Sequence, residues 1–549
     1  MPELQDGIAG ISSRAKKARE EMRRWYPLLE ELAHYFHQNR KGFQVNYTEG
    51  HEFGLDIWDS SPEGHRTKLS QAFVDAMCPS DRYWVGMRPA RDVLMQIDRV
   101  RLWCQVAAKM MYKAIYDTRA GFSESINELA DDSSTFGTAV MYIDHNRVDR
   151  HLVFQVKHLK NFAFEVNANG KLVRCYCWWS MCLDDLVTEF GLENLPVEFQ
   201  EMYRDGTSSN SDAKYEVVHA VIPSEDHARF GLAPNRLPFK SLWILCNGNH
   251  LLDEGGYHEM PYILVRWYRR SGEALGRCDA MRGLADARLI QSVAAALLEI
   301  TEKQSNPPMQ MPIDIIRGDL ELWPGGANFF DASGFQYQGD PIRPIEIGSN
   351  PAMTAEFLQH LDRKLGKIFF ADLLNLPEDG MDEQRHLAME MMKAVILAPI
   401  WSRVEDETLP PILDRVFGIM FRARAFPPIP DELAGEQLIY EYDNKIADMR
   451  EMAKAQSAFN AISMPLQLER PEALENVDWD TAFRGLYQMM KVPQNWILPL
   501  ERVVAERQQR QQMEQAQQAA ELAKAGGPGV KQAIEGAVTA RDQGLLPAQ

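Results

Sequence analysis

The sequence lacks the motifs that mark several common classes of enzyme and motor. There is no G-x4-G-K-[ST] phosphate-binding loop, which argues against an ATP-driven motor, and G-x-G-x-x-G, H-E-x-x-H and G-x-S-x-G are absent too. The 13 histidines show no clustering that indicates a catalytic triad. We therefore expect a protein without catalytic activity and without a cofactor.

Long apolar runs are missing as well. No stretch of about 18 apolar residues occurs, so a membrane-spanning helix is not expected. Residues 1–24 are polar and charged and lack the apolar segment of a signal peptide. We expect a protein that is made and used in a cytoplasm and has no membrane partner.

Cysteine is scarce and scattered. The odd count of 7 in 549 residues argues against a disulfide framework. Cys175, Cys177 and Cys182 lie close together, but a metal site would need a fourth ligand and usually C-x2-C spacing. Cys175 and Cys177 fall in a predicted strand, 173–180, where alternate residues share a face. We expect no metal site.

Basic residues are outnumbered, and the formal net charge is −19 at pH 7. This balance argues against a protein that wraps and grips nucleic acid, because such a protein carries a basic face. It is compatible with a protein that encloses a duplex without holding it. An acidic lining lets a duplex slide, since the counterion release that creates affinity is then absent.

The first 135 residues are predicted to be mainly helical. Apolar residues recur at helical spacing over 13–37, where Pro27 predicts a kink or a restart. The run from Asp59 to Glu63 has the features of a helix start, with a capping Ser and a Pro in the first turn. Further helices are predicted over 94–118 and 121–134.

Between 136 and 270 the apolar period changes to two, which predicts an antiparallel α+β domain. Asn169-Gly170 is a strong hairpin signal between two of the strands. A helix over 182–190 interrupts the sheet. The predicted strands are 140–143, 152–156, 162–166, 172–179, 215–222, 241–245 and 262–267.

Two long helices of similar length are predicted over 281–305 and 354–374. Leu289, Val293 and Leu297 start an apolar stripe on the first helix. A plain helical hairpin inside a core is the simplest interpretation. The insert between the helices, 306–350, argues against it, because helical hairpin loops normally have about 2–8 residues. Its Pro/Gly-rich, partly apolar sequence predicts a small β subdomain held away from the body.

The C-terminal part is predicted to be helical again. A long helix over 383–421 should be interrupted by Pro399 and broken or kinked by Pro410-Pro411. A strand is predicted over 438–442. The remaining predicted helices are 446–462, 480–490 and 499–525, followed by a mobile tail.

Acidic and histidine groupings offer candidates for metal chemistry. Asp131-Asp132 could join other acids around Mg²⁺, or could simply be the exposed end of a helix. His219 and His227 flank a polar segment that favours a solvated loop over a metal site, since no third ligand can be placed.

Basic groupings offer candidates for nucleic-acid contact. Arg266, Arg269 and Arg270 interleave with Trp267 and Tyr268, as in a single-strand binding surface or at a strand end with extended arginines. Arg363, Lys364 and Lys367 lie on one side of the second long helix. They could face phosphates or pair with acids of a neighbouring copy. The run 272–277 looks like a phosphate loop without its lysine, and we interpret it as a turn into the next helix.

Several stretches of the sequence are specific together in their order and spacing over about residues 15–430, although each is weak alone. They are Arg24-Trp25-Tyr26-Pro27 through Ala33, 59–63 with Leu69, Phe136-Gly137-Thr138-Ala139-Val140, 272–277 before Ala280-Met281, Asn306-Pro307-Pro308, Leu397-Ala398-Pro399 with Arg403 and Glu407, and 410–413 with Arg415 and Phe417. In this order they resemble the podovirus-type head-to-tail connecting proteins, which are the portal proteins of short-tailed bacteriophages.

The resemblance implies an α+β, mainly helical portal fold with a wing, stem helices, a clip and a C-terminal helical crown. The implied parts, in chain order, are the helical wing 1–135, the α+β wing 136–270, the first stem helix 271–305, the clip 306–352, the second stem helix 353–374, the channel loop and long wing helix 375–430, the crown 431–525 and a flexible tail 526–549.

The resemblance also implies a function and partners. Copies would form a dodecameric ring at the unique capsid vertex, assembled in the host cytoplasm and retained in the virion. Double-stranded DNA would be packaged and ejected through it. Partners would be the terminase packaging motor, tail adaptor proteins, and the major capsid and scaffolding proteins.

Site residues are expected in two places. Those expected along the DNA channel are Arg385, His386, Lys393, Arg363, Lys364 and Lys367. Those expected on the docking surface of the clip are Ile313, Ile315, Trp323, Phe329 and Phe330.

Two alternatives stay open at this point. One is a metal-dependent enzyme acting on nucleic acid, with a site assembled from scattered acids such as Asp131 and Asp132. The other is a different phage structural protein, such as an internal virion protein.

Overall fold

The computed structural model describes residues 2–48, 50–80, 82–146, 149–204, 213–225, 237–312, 321, 323–330, 343–345, 351–374 and 383–443, with isolated positions between 482 and 513. The chain forms two compact units, Met1–Arg450 and Glu451–Gln549. The elements given below belong to the first unit. Apart from those isolated positions, the predicted helices beyond 443 and the tail lie outside the described residues.

Helices of very different length make up much of the first unit. Helices α1 to α11 span, in order, Pro2–Arg23, Tyr26–Phe36, Ser61–Met77, Asp98–Ile115, Phe122–Phe136, Leu183–Phe190, Val197–Arg204, Asp279–Ser305, Pro351–Ile368, Ala371–Leu374 and Glu383–Arg422.

The strands are concentrated between the N-terminal and the long C-terminal helices. Strands β1 to β13 span, in order, Val85–Pro89, Thr138–Asn146, His151–Val156, Phe162–Val166, Leu172–Met181, Tyr215–Pro223, Phe239–Leu245, His250–Tyr257, Tyr262–Arg266, Met309–Pro312, Ala327–Phe330, Arg343–Pro344 and Leu438–Tyr442.

Two antiparallel sheets form the middle of the unit. The larger has the order β4-β5-β6-β7-β8 and the smaller the order β3-β2-β9. The predicted hairpin turn is present, with Gly170 at φ +74° and its N–H donating to the Asn167 carbonyl at 2.8 Å. Glycine suits this left-handed conformation because it has no Cβ. The predicted α+β, antiparallel character is confirmed.

Two elements of this region were not predicted. Strand β8 has one neighbour in the sheet, and its sequence mixes acids and glycines, so the apolar alternation is weak. Helix α7 has 8 residues and buries only Phe199, so its sequence has no repeated apolar spacing that would predict a helix.

The prolines predicted to interrupt helices have different effects in the two places. Helix α1 ends at Arg23 and α2 begins at Tyr26, so the predicted restart at Pro27 is confirmed. Helix α11 continues through Pro399, Pro410 and Pro411 for 40 residues, so the predicted interruption at Pro399 and the break considered at Pro410-Pro411 are wrong, while the kink considered there stays a prediction.

The reason lies in the packing of α11. Buried side chains occur on both sides of the prolines, among them Leu397, Trp401, Leu409 and Leu413. Each proline costs about 3 kcal/mol in a helix interior, whereas each large apolar side chain gains about 1.5–3 kcal/mol when buried. Burial of the whole face therefore outweighs the lost hydrogen bonds.

Strand β13 pairs with β1 in an antiparallel ladder that joins Tyr442 to Val85 and Leu438 to Pro89. The strand lies between 431 and 443, in the segment for which a C-terminal crown is expected. Its partner lies in the N-terminal helical part, so the first compact unit continues past residue 430.

A buried arginine ties α11 to the sheets. Arg415 is buried, and its guanidinium donates to the Ile143 carbonyl at 3.2 Å, to Glu259 Oε2 at 3.2 Å and to Asp144 Oδ1 at 3.4 Å. It also lies 4.9 Å from the centre of the Tyr257 ring. Burial alone would raise the pKa of Asp144, but hydrogen bonds from His145 and Tyr142 and the charge of Arg415 lower it to about 2.

We predict that Arg415→Met lowers the free energy of unfolding by about 2–4 kcal/mol, because it removes a buried guanidinium from the Ile143 carbonyl and from two partly buried carboxylates. The matched control is Arg422→Met. Arg422 also binds Glu259, at 2.6 Å, but is partly exposed, so its loss should cost about 1 kcal/mol or less. Urea unfolding of both variants measures the difference; equal losses would contradict the role given to Arg415.

Candidate functional site

The most distinctive feature of the fold is the hairpin of α8 and α9. The helices have 27 and 18 residues, which at 1.5 Å per residue is about 40 Å and about 27 Å. The expectation of two helices of similar length is therefore wrong. The second predicted helix is also interrupted, because α9 ends at Ile368 and Phe370 adopts φ +56° before α10 begins. The side chain of Phe369 is buried at this break.

The root of the hairpin, meaning residues 279–291 of α8 and 361–368 of α9, is closely packed because two glycines leave room for neighbouring side chains. A Cβ on Gly283 of α8 would lie 2.7 Å from Leu365 Cδ1 and 3.6 Å from Phe369 Cε2. The Phe369 ring lies 5.5 Å from that of Phe36 in α2. On α9, a Cβ at Gly366 would lie 3.2 Å from His65 Cε1 of α3. Gly283 thus lets α8 approach α9 closely, and Gly366 lets α9 approach α3 closely.

Polar contacts fix the same root against the loop that precedes α3. Gln291 is buried, and its Oε1 accepts from the backbone N–H groups of Trp58 at 2.8 Å and Asp59 at 3.0 Å, while its Nε2 donates to the Asp59 carbonyl at 2.6 Å. Arg288 binds Glu31 of α2 with two hydrogen bonds, at 2.5 and 2.6 Å. These contacts leave the orientation of α8 little freedom.

The start of α8 is held by a buried acid. Asp279 accepts hydrogen bonds from Trp267 Nε1 at 3.2 Å, Tyr268 Oη at 2.9 Å and Arg282 at 2.9 Å. Burial raises the pKa of Asp279, although those hydrogen bonds and the charge of Arg282 oppose the shift. A carboxylate at a helix N-terminus also interacts favourably with the helix dipole.

Beyond Gln291 the hairpin has no core of its own. No side chain of α8 from 292 to 305 is buried, and none of α9 from 351 to 360. The apolar stripe predicted on α8 is not fully covered by other parts of the described structure, since Leu289 is exposed and Val293 is only partly buried. Leu298 is 44% exposed and Phe357 is 47% exposed. The distal half of the hairpin therefore offers apolar surface to another molecule.

The segment between the two helices contains a small sheet, as predicted for the described part of the insert. Strands β10, β11 and β12 have the order β11-β10-β12, with one parallel and one antiparallel pair. Asn306, which directly follows α8, accepts at its carbonyl from the Gly325 N–H at 2.8 Å, and the Met309 N–H at the start of β10 donates to the Gly326 carbonyl at 2.7 Å.

The residues expected on the docking surface are only partly described. Trp323 is 57% exposed beside the sheet. Phe329 and Phe330 lie in β11, and their side chains are outside the described part of the structure. Ile313 and Ile315 lie outside the described residues.

The residues expected along a channel fall on two helices. Arg363, Lys364 and Lys367 are exposed on α9, but Lys364 Nζ binds Asp286 Oδ1 of α8 in the same chain at 2.6 Å. Arg385, His386 and Lys393 belong to α11, and their side chains are outside the described part. Residues 375–382, at the start of the segment 375–430 expected to contain the channel loop and the long wing helix, lie outside it too.

The candidate metal acids are used for structure. Asp132 is buried and binds Arg40 at 2.8 Å, and Asp131 binds Arg66 and accepts from Ser70 Oγ at 2.5 Å. The exposed helix end considered for this pair is therefore wrong. Within the described ranges, no group of three or more His, Cys, Asp or Glu side chains is arranged to hold a metal ion.

His219 is buried rather than placed in a solvated loop. It lies in β6, stacks on Trp243 with ring centres 4.1 Å apart, and hydrogen bonds to Tyr262 Oη at 2.7 Å and Ser241 Oγ at 2.9 Å. Burial lowers its pKa to about 3, so the ring is neutral. His227 lies outside the described residues.

The remaining sequence candidates also have structural roles. Arg266 is buried and binds Glu407 at 2.9 Å, as expected for a strand end, while Arg269 and Arg270 are exposed. All 7 cysteines carry free thiols, and Cys175 and Cys177 are buried. Among the described helices, none has the length and apolar character that crossing a membrane requires.

Comparison with known proteins identifies the family. The sequence model described as "Bacteriophage head to tail connecting protein" matches residues 9–498, so the chain belongs to that family of structural phage proteins. The portal protein of Salmonella phage epsilon15 is 26% identical over 480 residues, covering 85% of this chain and 84% of that protein.

One further relative and one solved structure can be placed beside it. A protein of Bordetella phage BPP-1 named "Probable portal protein" is 22% identical, covering 91% of this chain and 90% of its own. A chain from the neck of an empty gene transfer agent particle is 9% identical with a TM-score of 0.39, covering 74% of this chain and 86% of that chain.

Sequence reasoning missed the residues that orient the hairpin. Gly283 and Gln291 lie in the interior of a helix, and a glycine at such a position was the one available signal, because it costs about 1 kcal/mol relative to alanine unless close packing compensates. Nothing in the sequence marks Gln291 as the partner of Trp58 and Asp59.

We predict that Gly283→Val lowers the free energy of unfolding by about 1–3 kcal/mol, because the added atoms overpack the contact with Leu365 and Phe369. Gly64→Val is the matched control, since a Cβ there meets nothing within 4 Å. Its effect should stay within about 0.5 kcal/mol. Thermal unfolding of both variants checks this, and equal effects would contradict the close packing of the root.

Proposed function

We propose that this head-to-tail connecting protein acts as the portal of a bacteriophage. Copies would form a closed ring at the unique vertex of the capsid, and double-stranded DNA would be packaged and ejected through the ring. The observation that supports this most is the distal half of the α8–α9 hairpin, which is anchored firmly at its root and carries uncovered apolar side chains.

Helix physics explains why that half needs neighbours. Residues 292–305 extend about 21 Å at 1.5 Å per residue, and isolated helices shorter than about 12–15 residues are marginal in water. Covering a Leu or Phe side chain contributes about 1.5–3 kcal/mol. A head-to-tail arrangement that closes into a ring covers the same surface on every copy.

The charge balance supports a channel that conducts DNA. With a net charge of −19 the chain displaces few of the counterions that surround a duplex, so it gains little affinity and the duplex is free to move. On the stem, Arg363 and Lys367 are the better candidates to meet phosphates, because Lys364 is engaged by Asp286. Arg385, His386 and Lys393 of α11 are retained as proposed channel residues.

The small sheet at the tip is the proposed docking element. It would receive the terminase packaging motor and later the tail adaptor proteins, with Trp323 as an exposed aromatic anchor. We propose a dodecamer that contacts the major capsid and scaffolding proteins, assembles in the host cytoplasm, and acts without catalysis. The fold gives the metal-dependent enzyme no support, since Asp131 and Asp132 are engaged by arginines.

We predict that Leu298→Glu combined with Phe357→Glu abolishes rings, because two charges would have to be buried between neighbouring stems. Leu102→Glu with Val106→Glu is the matched control on α4, where both side chains are also exposed. Mass photometry and negative-stain electron microscopy measure the outcome. Rings in the first variant, or their loss in both, would contradict the assembly through the hairpin.

We predict that Trp323→Glu leaves rings intact and weakens docking of the motor or tail adaptor at least tenfold, since a central aromatic anchor is worth about 1.4 kcal/mol or more. Tyr83→Glu, also an exposed aromatic residue, is the control. Sedimentation of purified rings with each partner measures docking. Unchanged docking would argue against the tip sheet as the docking element.

A further inference from the structure

A concavity beside the start of α8 has four arginines among its lining residues, together with Cys278 and Met281. It has a volume of about 440 Å³, and its charged lining consists of Arg269, Arg270, Arg277 and Arg282, with Tyr268 beside them. This local excess of positive charge stands out in a chain of net charge −19. The portal function proposed above does not use it.

The carboxylates near the concavity are fewer than the arginines. Glu273 binds Arg277 at 2.6 and 2.7 Å, and Asp279 binds Arg282 at 2.9 Å. Arg269 lies 3.5 Å from Glu407, an acid that the buried Arg266 also binds, at 2.9 Å. A second nitrogen of Arg269 donates to the Asn169 carbonyl at 3.0 Å.

Arg270 has no ion-pair partner among the described residues. Its charge acts on Glu273, whose pKa is lowered first by the hydrogen bond from Arg277 and then by both arginine charges. Arg270 thus remains available to an external anion. Arg269 uses only part of its five N–H donors on Asn169 and Glu407, so it can contribute the others.

The arginines are held on a rigid turn. Tyr268 and Arg277 form a backbone bridge with N–H to carbonyl distances of 2.9 and 2.8 Å. Gly272 adopts φ +83° in the turn between them, where a side chain would be strained. Arg277 also lies 4.7 Å from the centre of the Trp25 ring. This framework lowers the entropy lost when an anion orders the surrounding side chains.

Asp279 cannot easily turn into the concavity and neutralise it. Asp279 is buried and held by Trp267 and Tyr268, and it already occupies the first turn of α8. The attraction for an anion therefore comes from the arginine side chains.

We propose that this concavity binds phosphate groups, supplied either by a nucleic-acid backbone or by free phosphate. A phosphate has three or four oxygens and can accept from several guanidinium forks at once, whereas a carboxylate has two. The guanidinium groups of the exposed Arg269 and Arg270 would make the main hydrogen bonds to the phosphate. Because all these residues belong to one chain, the site does not depend on ring formation.

The test titrates the full-length protein at low salt with four probes: inorganic phosphate, a fluorescent single-stranded oligonucleotide, its duplex, and a glutamate-rich peptide of equal charge. Binding is compared among the wild type, Arg269→Ala with Arg270→Ala, and the control Arg99→Ala with Arg101→Ala. Arg99 and Arg101 are exposed on α4, so the control removes the same charge elsewhere.

We expect at least one phosphate-bearing probe to bind and to lose tenfold or more in affinity only in the Arg269/Arg270 variant. For an oligonucleotide, the slope of log affinity against log salt should fall by about 1–2, as for one or two lost phosphate contacts. Competition by inorganic phosphate distinguishes a free-phosphate site from one that needs the backbone. Absence of binding, equal losses in the control, or equal affinity for the peptide would overturn the proposal.

Discussion

The constraint on which the rest of the structure depends is the anchoring of a long helix at one end only. Gly283 allows α8 to approach α9, and Gln291 fixes it to the backbone of Trp58 and Asp59. Past that point α8 continues for 14 residues, from 292 to 305, without a buried side chain. The hairpin is thus held firmly at its root, while its distal half exposes apolar side chains to which another molecule can bind. In a family of head-to-tail connecting proteins, a neighbouring copy is the partner we propose for that surface.

Buried and partly buried contacts in the rest of the first unit hold the hairpin in place. Helix α11 packs against β2 and β9 of the smaller sheet, and its buried Arg415 binds the partly buried carboxylates of Asp144 and Glu259. Asp279 connects the start of α8 to Trp267 and Tyr268, the residues that directly follow β9. The smaller sheet, α11 and α8 are therefore linked by buried and partly buried polar contacts, which are costly to break and specify one arrangement.

Much of the fold could be predicted, because strand alternation and helix starts are local signals. The strands from Thr138 to Arg266 and the hairpin turn at Gly170 depend on neighbouring residues in the chain. The continuity of α11 through its prolines could not be predicted, because the compensating burial comes from distant segments. The break at Phe370 is of the same kind, since the neighbouring Phe369 packs on Phe36.

The candidate site was only partly predictable for a related reason. The two helices and the tip sheet follow from the period and from the length of the insert. Which charges are free depends on partners far away in sequence: Arg66 binds Asp131, Arg40 binds Asp132 and Asp286 binds Lys364.

Hydrogen–deuterium exchange along 292–305, measured in dilute subunits and in assembled particles of the same protein, tests the central claim most directly. The account predicts fast exchange of these amides in separate subunits and slow exchange after assembly, while the root around Gly283 is protected in both. Equal protection of 292–305 in the two states would contradict it, because the distal helix would then be stable without a neighbour.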